Sequence, residues 1–442
     1  MTSIAKASYT SSITVERYGL EAVPSELKTT KWVDYFILQV GFSVNSGNFL
    51  VPALAVLSGG LSFYAAVLST VLGAAVAFIF VSLLTSPGSK NGIPAQYALR
   101  SMLGIFMARY IASPVRSLTS LYWFSVQTIG GTLVLIELAK KLVGIQIPFL
   151  PVAISLATLM SVLALVGFEV VKKVVKYFIP FLFIGQVVLF TLLIKEASSA
   201  GTTQLFHHDF KLSSFFFYAS LAFVQYISGV SSSADMARYA KSVRGAFWGL
   251  YSGNTFGFII TASLGALSAA LLGEWNPFVA VSSLTSSMFT LFLILLCSMV
   301  SMISINLNNA YTGGFSLLNI LPSIGRVKSS IFFGITAITL SCFPTIVDQA
   351  KSYISLLGTL IIPISAVIVA DFLFVKKLNL DERHMEDIIQ NKYKWNQVGF
   401  TALCFGASIY SVLPDPLSPG FFSFIVTLGM YLALVRLSKF IK

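Results

Sequence analysis

The chain has 442 residues, of which 56% are hydrophobic and 10% charged, against about 25% charged in an ordinary globular protein. That composition excludes a string of soluble domains. A formal net charge of +12 on so apolar a chain points to membrane orientation before it points to nucleic acid.

Residues 1–30 are polar and lack the apolar core of a signal peptide, which predicts a cytoplasmic tail. A helix that crosses a bilayer needs about 20 mostly apolar residues, because hydrocarbon offers no partner to a free backbone amide. Twelve stretches meet that need, at 33–57, 61–85, 114–136, 149–168, 177–195, 213–234, 246–272, 287–313, 329–347, 352–375, 398–413 and 419–437. With the amino terminus inside, the outer loops hold only Lys140, Lys141, Lys195, Lys211 and Lys351 of the 29 lysines and arginines. Adding or removing one stretch destroys this partition, so twelve transmembrane helices with both termini cytoplasmic are predicted, in the plasma membrane.

Residues 31–195 and 213–375 hold five stretches each, 376–397 form a polar cytoplasmic loop, and 398–442 carry two additional helices and a short cytoplasmic C-terminus. An odd number of spans per unit inverts the second unit relative to the first, which predicts a five-plus-five inverted repeat. The opening stretch of each unit is interrupted at a matched position. The first carries Ser43, Asn45, Ser46, Gly47 and Asn48, and the sixth Gln225, Ser228, Gly229 and Ser231 to Ser233. Single small residues usually serve close helix packing, but two matched clusters predict discontinuous helices 1 and 6. Unwound backbone there exposes carbonyls to a cation and half-helix ends to a polar ligand.

Within the third stretch Trp123 and Gln127 are four apart and share a face. The sixth adds Tyr226 beside Gln225. In the eighth, Asn306, Asn308 and Asn309 cannot all face lipid, since each amide would be left unpaired. Asn306 and Asn309 share a face and are expected in the cavity, whereas Asn308 is expected to bond a neighbouring helix. Two aromatics flanked by amides and hydroxyls suit a flat, hydrogen-bonding ligand. No Asp, Glu, Lys or Arg is expected near mid-membrane, with Arg116 placed among the cytoplasmic charges, so the ligand is expected to be neutral. A proton relay would need a mid-membrane carboxylate or His, which favours sodium over the proton. Cys297, Cys342 and Cys404, each in an apolar run, and the histidines, including the adjacent His207 and His208, form neither a disulfide framework nor a metal-ligand cluster. Two rival readings are an amino-acid permease of the same broad fold and a membrane-embedded enzyme; against the second, no carboxylate pair, His cluster or activated nucleophile lies in the membrane.

At these residues the sequence resembles the nucleobase-cation-symport-1 family of cytosine, purine, allantoin and hydantoin permeases. The similarity lies in Tyr18 to Trp32 before the first helix, Gly60-Leu-Ser62, Trp123-Phe-Ser-Val-Gln-Thr-Ile-Gly-Gly131, Ala234-Asp-Met-Ala-Arg-Tyr-Ala-Lys-Ser242 and Pro363 to Phe372. It implies an all-α, LeuT-type transporter that is not an enzyme, carries no cofactor beyond a coupling Na+, and imports a nucleobase or related heterocycle by alternating access. By this resemblance Trp123 and Tyr226 sandwich the substrate, Gln127 bonds its ring, Ser228 is a polar contact, and Asn306-Leu-Asn-Asn-Ala-Tyr311 is similar to the cytosine-permease pattern. Pyrimidines and purines are favoured, while the third stretch looks more like the hydantoin branch. The implied sodium site combines carbonyls among Ser43, Val44 and Ser46 with two helix-8 hydroxyls. Ser304 matches the first and Ile305 replaces the second, unless Ser301 pairs with Ser304.

Overall fold

The computed structural model describes residues 21–166, 168–200 and 210–440. Residues 1–20 of the expected tail, with Tyr18 of its motif, and His207 and His208 lie outside them. The described chain is helical, with one isolated parallel bridge, Thr30 to Ala240.

Twelve helical blocks follow in order. The first is α1 (Trp32–Ser43) and α2 (Ser46–Leu57), bent by 58° at their junction. Then come α3 (Phe63–Leu83), α4 (Ser113–Val143), α5 (Phe149–Leu163) and α6 (Phe168–Ala200). The sixth block is α7 (Leu212–Ile227) and the short α8 (Ser233–Ala237), followed by α9 (Val243–Leu272), α10 (Met288–Ile320) and α11 (Gly325–Ser341). The last are α12 (Ala350–Ala370), α13 (Gln397–Val412) and α14 (Pro419–Phe440). Every predicted stretch falls on one of these blocks. Among the described residues eight helices have the length and composition to cross a membrane, and the bent α1–α2 pair makes a ninth. Two further apolar helices, α5 and α13, are shorter.

Side chains such as Leu68, Leu72, Phe183 and Val187 stand exposed on the outer faces, as hydrocarbon requires and water would not favour. Inside, helix backbones touch. A Cβ at Gly73 of α3 would fall 1.8 Å from the Ala219 carbonyl oxygen of α7, so only glycine admits this crossing. The segment between α3 and α4, outside the twelve predicted stretches, folds into helices at Ser86–Asn91 and Ala95–Leu103. Their polar groups brace the interior. The Ala95 N–H donates to Asp235 Oδ1 at 2.7 Å, and Gln96 Nε2 donates to the Ser231 carbonyl at 2.8 Å. Ahead of α1, Thr30 donates its N–H to the Tyr239 carbonyl and accepts from the Lys241 N–H, both at 2.9 Å. The entrance to the first broken helix is thereby tied to the end of the second.

Candidate functional site

Breaking a helix in hydrocarbon frees backbone groups, each costing about 1–3 kcal/mol if buried without a partner. At the α1–α2 junction the side chains of the predicted polar cluster answer that cost. Asn45 caps α2, its Oδ1 accepting from the Asn48 N–H at 2.9 Å, while its Nδ2 donates to the carbonyls of Phe42 and Ser43. The Ser43 carbonyl also accepts from Asn48 Nδ2 at 2.7 Å and from Thr261 Oγ1 at 2.9 Å. The Val44 carbonyl accepts from the Ser301 hydroxyl of α10.

Gln127 of α4 closes the same junction. Its Oε1 accepts from the Gly47 N–H at 2.9 Å, and its Nε2 donates to Asn45 Oδ1. A Cβ at Gly47 would lie 2.3 Å from Gln127 Nε2, so this contact requires glycine. Both ends of the Gln127 amide are thus engaged by the junction, although the side chain lines the cavity described below.

The sixth block breaks differently. After Ile227 the chain tightens into a 3₁₀ turn at Ser228–Ser231, leaves helical geometry at Ser232 (φ −140°, ψ −14°) and resumes at Ser233. Serine hydroxyls satisfy the local carbonyls, Ser231 donating to the Ser228 carbonyl at 2.7 Å. Gln225 Nε2 donates to Asn48 Oδ1 at 3.0 Å, which links this break to the first.

Between the breaks lies a cavity of about 150 Å³ lined by Trp123, Gln127, Gln225, Tyr226 and Ser228, among others. This is below the roughly 300–1,000 Å³ of drug-sized sites and suits one small ring system. Trp123 packs edge-on against Tyr122, with ring centroids 4.9 Å apart, and Tyr226 packs against Phe78 and Phe258 at 4.7 and 4.9 Å. Several polar atoms of the lining residues are buried with no partner in the protein: Gln225 Oε1, the Tyr226 hydroxyl, the Ser233 hydroxyl and Arg116 Nε. The residues lining the cavity therefore carry buried donors and an acceptor without protein partners, beside aromatic rings.

Two expectations need correction. Ile305, Asn308, Asn309 and Thr312 line the cavity, the i, i+3, i+4, i+7 stripe of one helix face. Asn308 therefore faces the cavity and Asn306 does not. Asn306 is 0% exposed, with Nδ2 donating to the Phe124 carbonyl and Thr128 Oγ1, both at 3.1 Å, and its Oδ1 accepting from Asn309 Nδ2 at 3.1 Å. It holds Asn309 at the wall without reaching the wall itself. Arg116 is the second correction. It is 7% exposed, lines the cavity and donates from Nη2 to Thr312 Oγ1 at 3.1 Å, so the site is not free of charge. The long side chain carries the guanidinium from the end of the span into the interior.

The oxygen set around the first break is partly engaged within the protein. Ser43 lines the cavity, but its carbonyl already accepts from three donors. Ser46 packs beneath Gly130, where an added Cβ would meet the Ser46 Cβ at 2.6 Å. Ser304 donates back to the Val300 carbonyl of its own helix at 2.8 Å. Of the five expected residues, Val44 and Ser301 are joined directly across two helices.

A family model described as permease for cytosine/purines, uracil, thiamine, allantoin matches residues 22–435. The allantoin permease of Bacillus subtilis (strain 168) is 24% identical over 430 residues, covering 87% of this chain and 84% of that permease. The hydantoin permease of Microbacterium maritypicum is 22% identical over 360 residues, covering 77% and 72%. Among solved structures, a nucleobase-cation-symport-1 family transporter in a closed conformation with bromovinylhydantoin bound superposes with a TM-score of 0.77, at 16% identity and 96% coverage of both chains. A sodium-coupled sialic acid symporter superposes at 0.61, with 13% identity and coverage of 92% and 91%. The fold is thus the LeuT type. This chain belongs to the family of permeases for cytosine/purines, uracil, thiamine and allantoin, the nucleobase-cation-symport-1 transporters, and is a membrane transporter and not an enzyme.

Proposed function

We propose that this permease imports a planar nucleobase or related heterocycle by cation symport, sodium being favoured over the proton, with all twelve blocks spanning the plasma membrane and both termini cytoplasmic. The observation that carries this reading is the shared cavity between the two helix breaks, in which Trp123 and Tyr226 stand beside unpaired polar atoms. Rings stack on the two aromatics, and ring donors and acceptors complete Gln225 Oε1 and the Tyr226 hydroxyl. The names of the relatives, allantoin and hydantoin permease, add five-membered cyclic ureides to the candidate substrates.

Sodium is supported by the oxygen chemistry of the first break. Rotation of the Ser301 hydroxyl off the Val44 carbonyl would turn both oxygens toward one cation, a ligand type that unwound helices supply. The ion then stabilises the α1–α10 contact and with it the substrate-binding conformation. A tenfold sodium gradient contributes ~1.4 kcal/mol per ion, and 100 mV adds ~2.3 kcal/mol for each net positive charge carried inward.

A thermal-shift panel of nucleobases, hydantoins, allantoin and amino acids, with sodium or choline at equal ionic strength, tests both parts. Heterocycles should raise the melting temperature, and more so in sodium, with Ser301→Ala removing the sodium increment. Stabilisation by amino acids alone would overturn the substrate class. An equal response in choline would overturn sodium.

A further inference from the structure

Neither ring stacking nor the amides account for Arg116. The side chain is 93% buried, being 7% exposed, and lies two helical turns from Trp123 on the same face of α4, about 10 Å along the axis. Its guanidinium meets only neutral groups. Nη2 donates to Thr312 Oγ1 at 3.1 Å and Nη1 approaches Ser228 Oγ at 3.5 Å, and both hydroxyls line the cavity. Nε has no partner. Among the described residues no carboxylate lies within ion-pair distance of it. Asp235 acts on it only through space; its Oδ1 accepts from the Ala95 N–H and its Oδ2 has no hydrogen-bond partner.

A buried cation without a paired anion costs several kcal/mol. A guanidinium used only to fill space would be replaceable by an uncharged side chain at no such cost. The fork of a guanidinium matches a carboxylate or a planar ionised imide in two-point contact. The cavity that holds it also holds the ring site, so one ligand can meet both.

We infer that the preferred substrate is a planar heterocycle bearing a negative charge, either a ring carboxylate or an ionised ring imide, whose anionic edge is met by Arg116. This inference rests on the ring-and-amide cavity proposed above and adds the charge of its ligand.

Matched pairs test it on the purified full-length protein: uracil against orotate, which adds one carboxylate, and xanthine against urate, which ionises within the ring system. Binding is read by calorimetry or by competition for uptake into proteoliposomes. The acidic member of at least one pair should bind tenfold or more tightly than its neutral partner, and the pair that shows this identifies the anionic group. Arg116→Gln should collapse that ratio to near one, and Arg116→Lys, which keeps the charge but not the fork, should leave a smaller preference. Trp123→Ala should weaken both members of the pair together. A wild-type preference for the neutral members, or a ratio unchanged in Arg116→Gln, overturns the inference while the ring site stands. Binding of neither member of either pair overturns both. If Arg116→Gln does not fold, an undiminished ratio in Arg116→Lys counts against two-point contact, and a reduced ratio supports it.

Discussion

The two helix breaks use similar residues to opposite ends. At the α1–α2 junction nearly every polar group is engaged within the protein: Asn45, Asn48, Thr261 and Gln127 satisfy the freed carbonyls and amides. At the α7–α8 break and on the facing α4, Gln225 Oε1, the Tyr226 and Ser233 hydroxyls and Arg116 Nε have no protein partner. One break has its polar groups paired within the protein, and the other leaves several unpaired. Polar side chains inside a membrane are therefore not equivalent signals of a binding site. Those whose hydrogen bonds are complete serve architecture, and an unpaired atom bears on binding only where its residue also lines the cavity.

The contrast is broken most severely by Asn45→Ala, which removes the α2 cap, about 0.5–2 kcal/mol, and leaves Gln127 Nε2 unpaired for about 1–3 more. Thermal unfolding in detergent should show a loss of about 1.5–5 kcal/mol. Gly47→Ala should act at the same place, its methyl group pressing on the Gln127 amide at a cost of about 1–3 kcal/mol. On the recognition side, Trp123→Ala should leave the fold intact and weaken heterocycle binding by about 1–3 kcal/mol, roughly 5- to 150-fold by calorimetry.

Helix α10 divides along the same line. Asn306→Ala should lower the melting temperature, because the bonds to Phe124 and Thr128 are lost, whereas Asn308→Ala should leave stability unchanged and reduce uptake. The reverse pattern would place the binding face on the other side of the helix. The smallest and sharpest change is Tyr226→Phe. It keeps the ring and removes a hydroxyl that has no protein partner, so stability should hold while affinity falls by about 0.5–1.5 kcal/mol. A drop in melting temperature instead would show that this hydroxyl serves the fold.

Much of the site was legible in the chain. The clusters around Asn45 and Ser228 interrupt otherwise apolar runs, and each falls on a break. Trp123, Gln127, Gln225, Tyr226, Ser228 and Asn309 share one cavity. What misled was helix rotation. Three asparagines within four residues signal a polar interior, but the two-residue step from Asn306 to Asn308 turns the side chain by about 200°, and the choice between them depended on where α4 and α5 pack. The small helices at Ser86–Asn91 and Ala95–Leu103 were missed because their apolar runs are short and lie between Pro and Gly punctuation.

By itself, the sequence determined the membrane setting, the helical blocks and the two interruptions, since hydropathy and the cost of an unpaired amide in hydrocarbon act locally along the chain. Only the tertiary structure decided which polar atoms are already paired and which remain open, and that Arg116 reaches the cavity from the end of its helix. Those facts depend on what a neighbouring helix, distant in sequence, places opposite each group, and no local pattern encodes that.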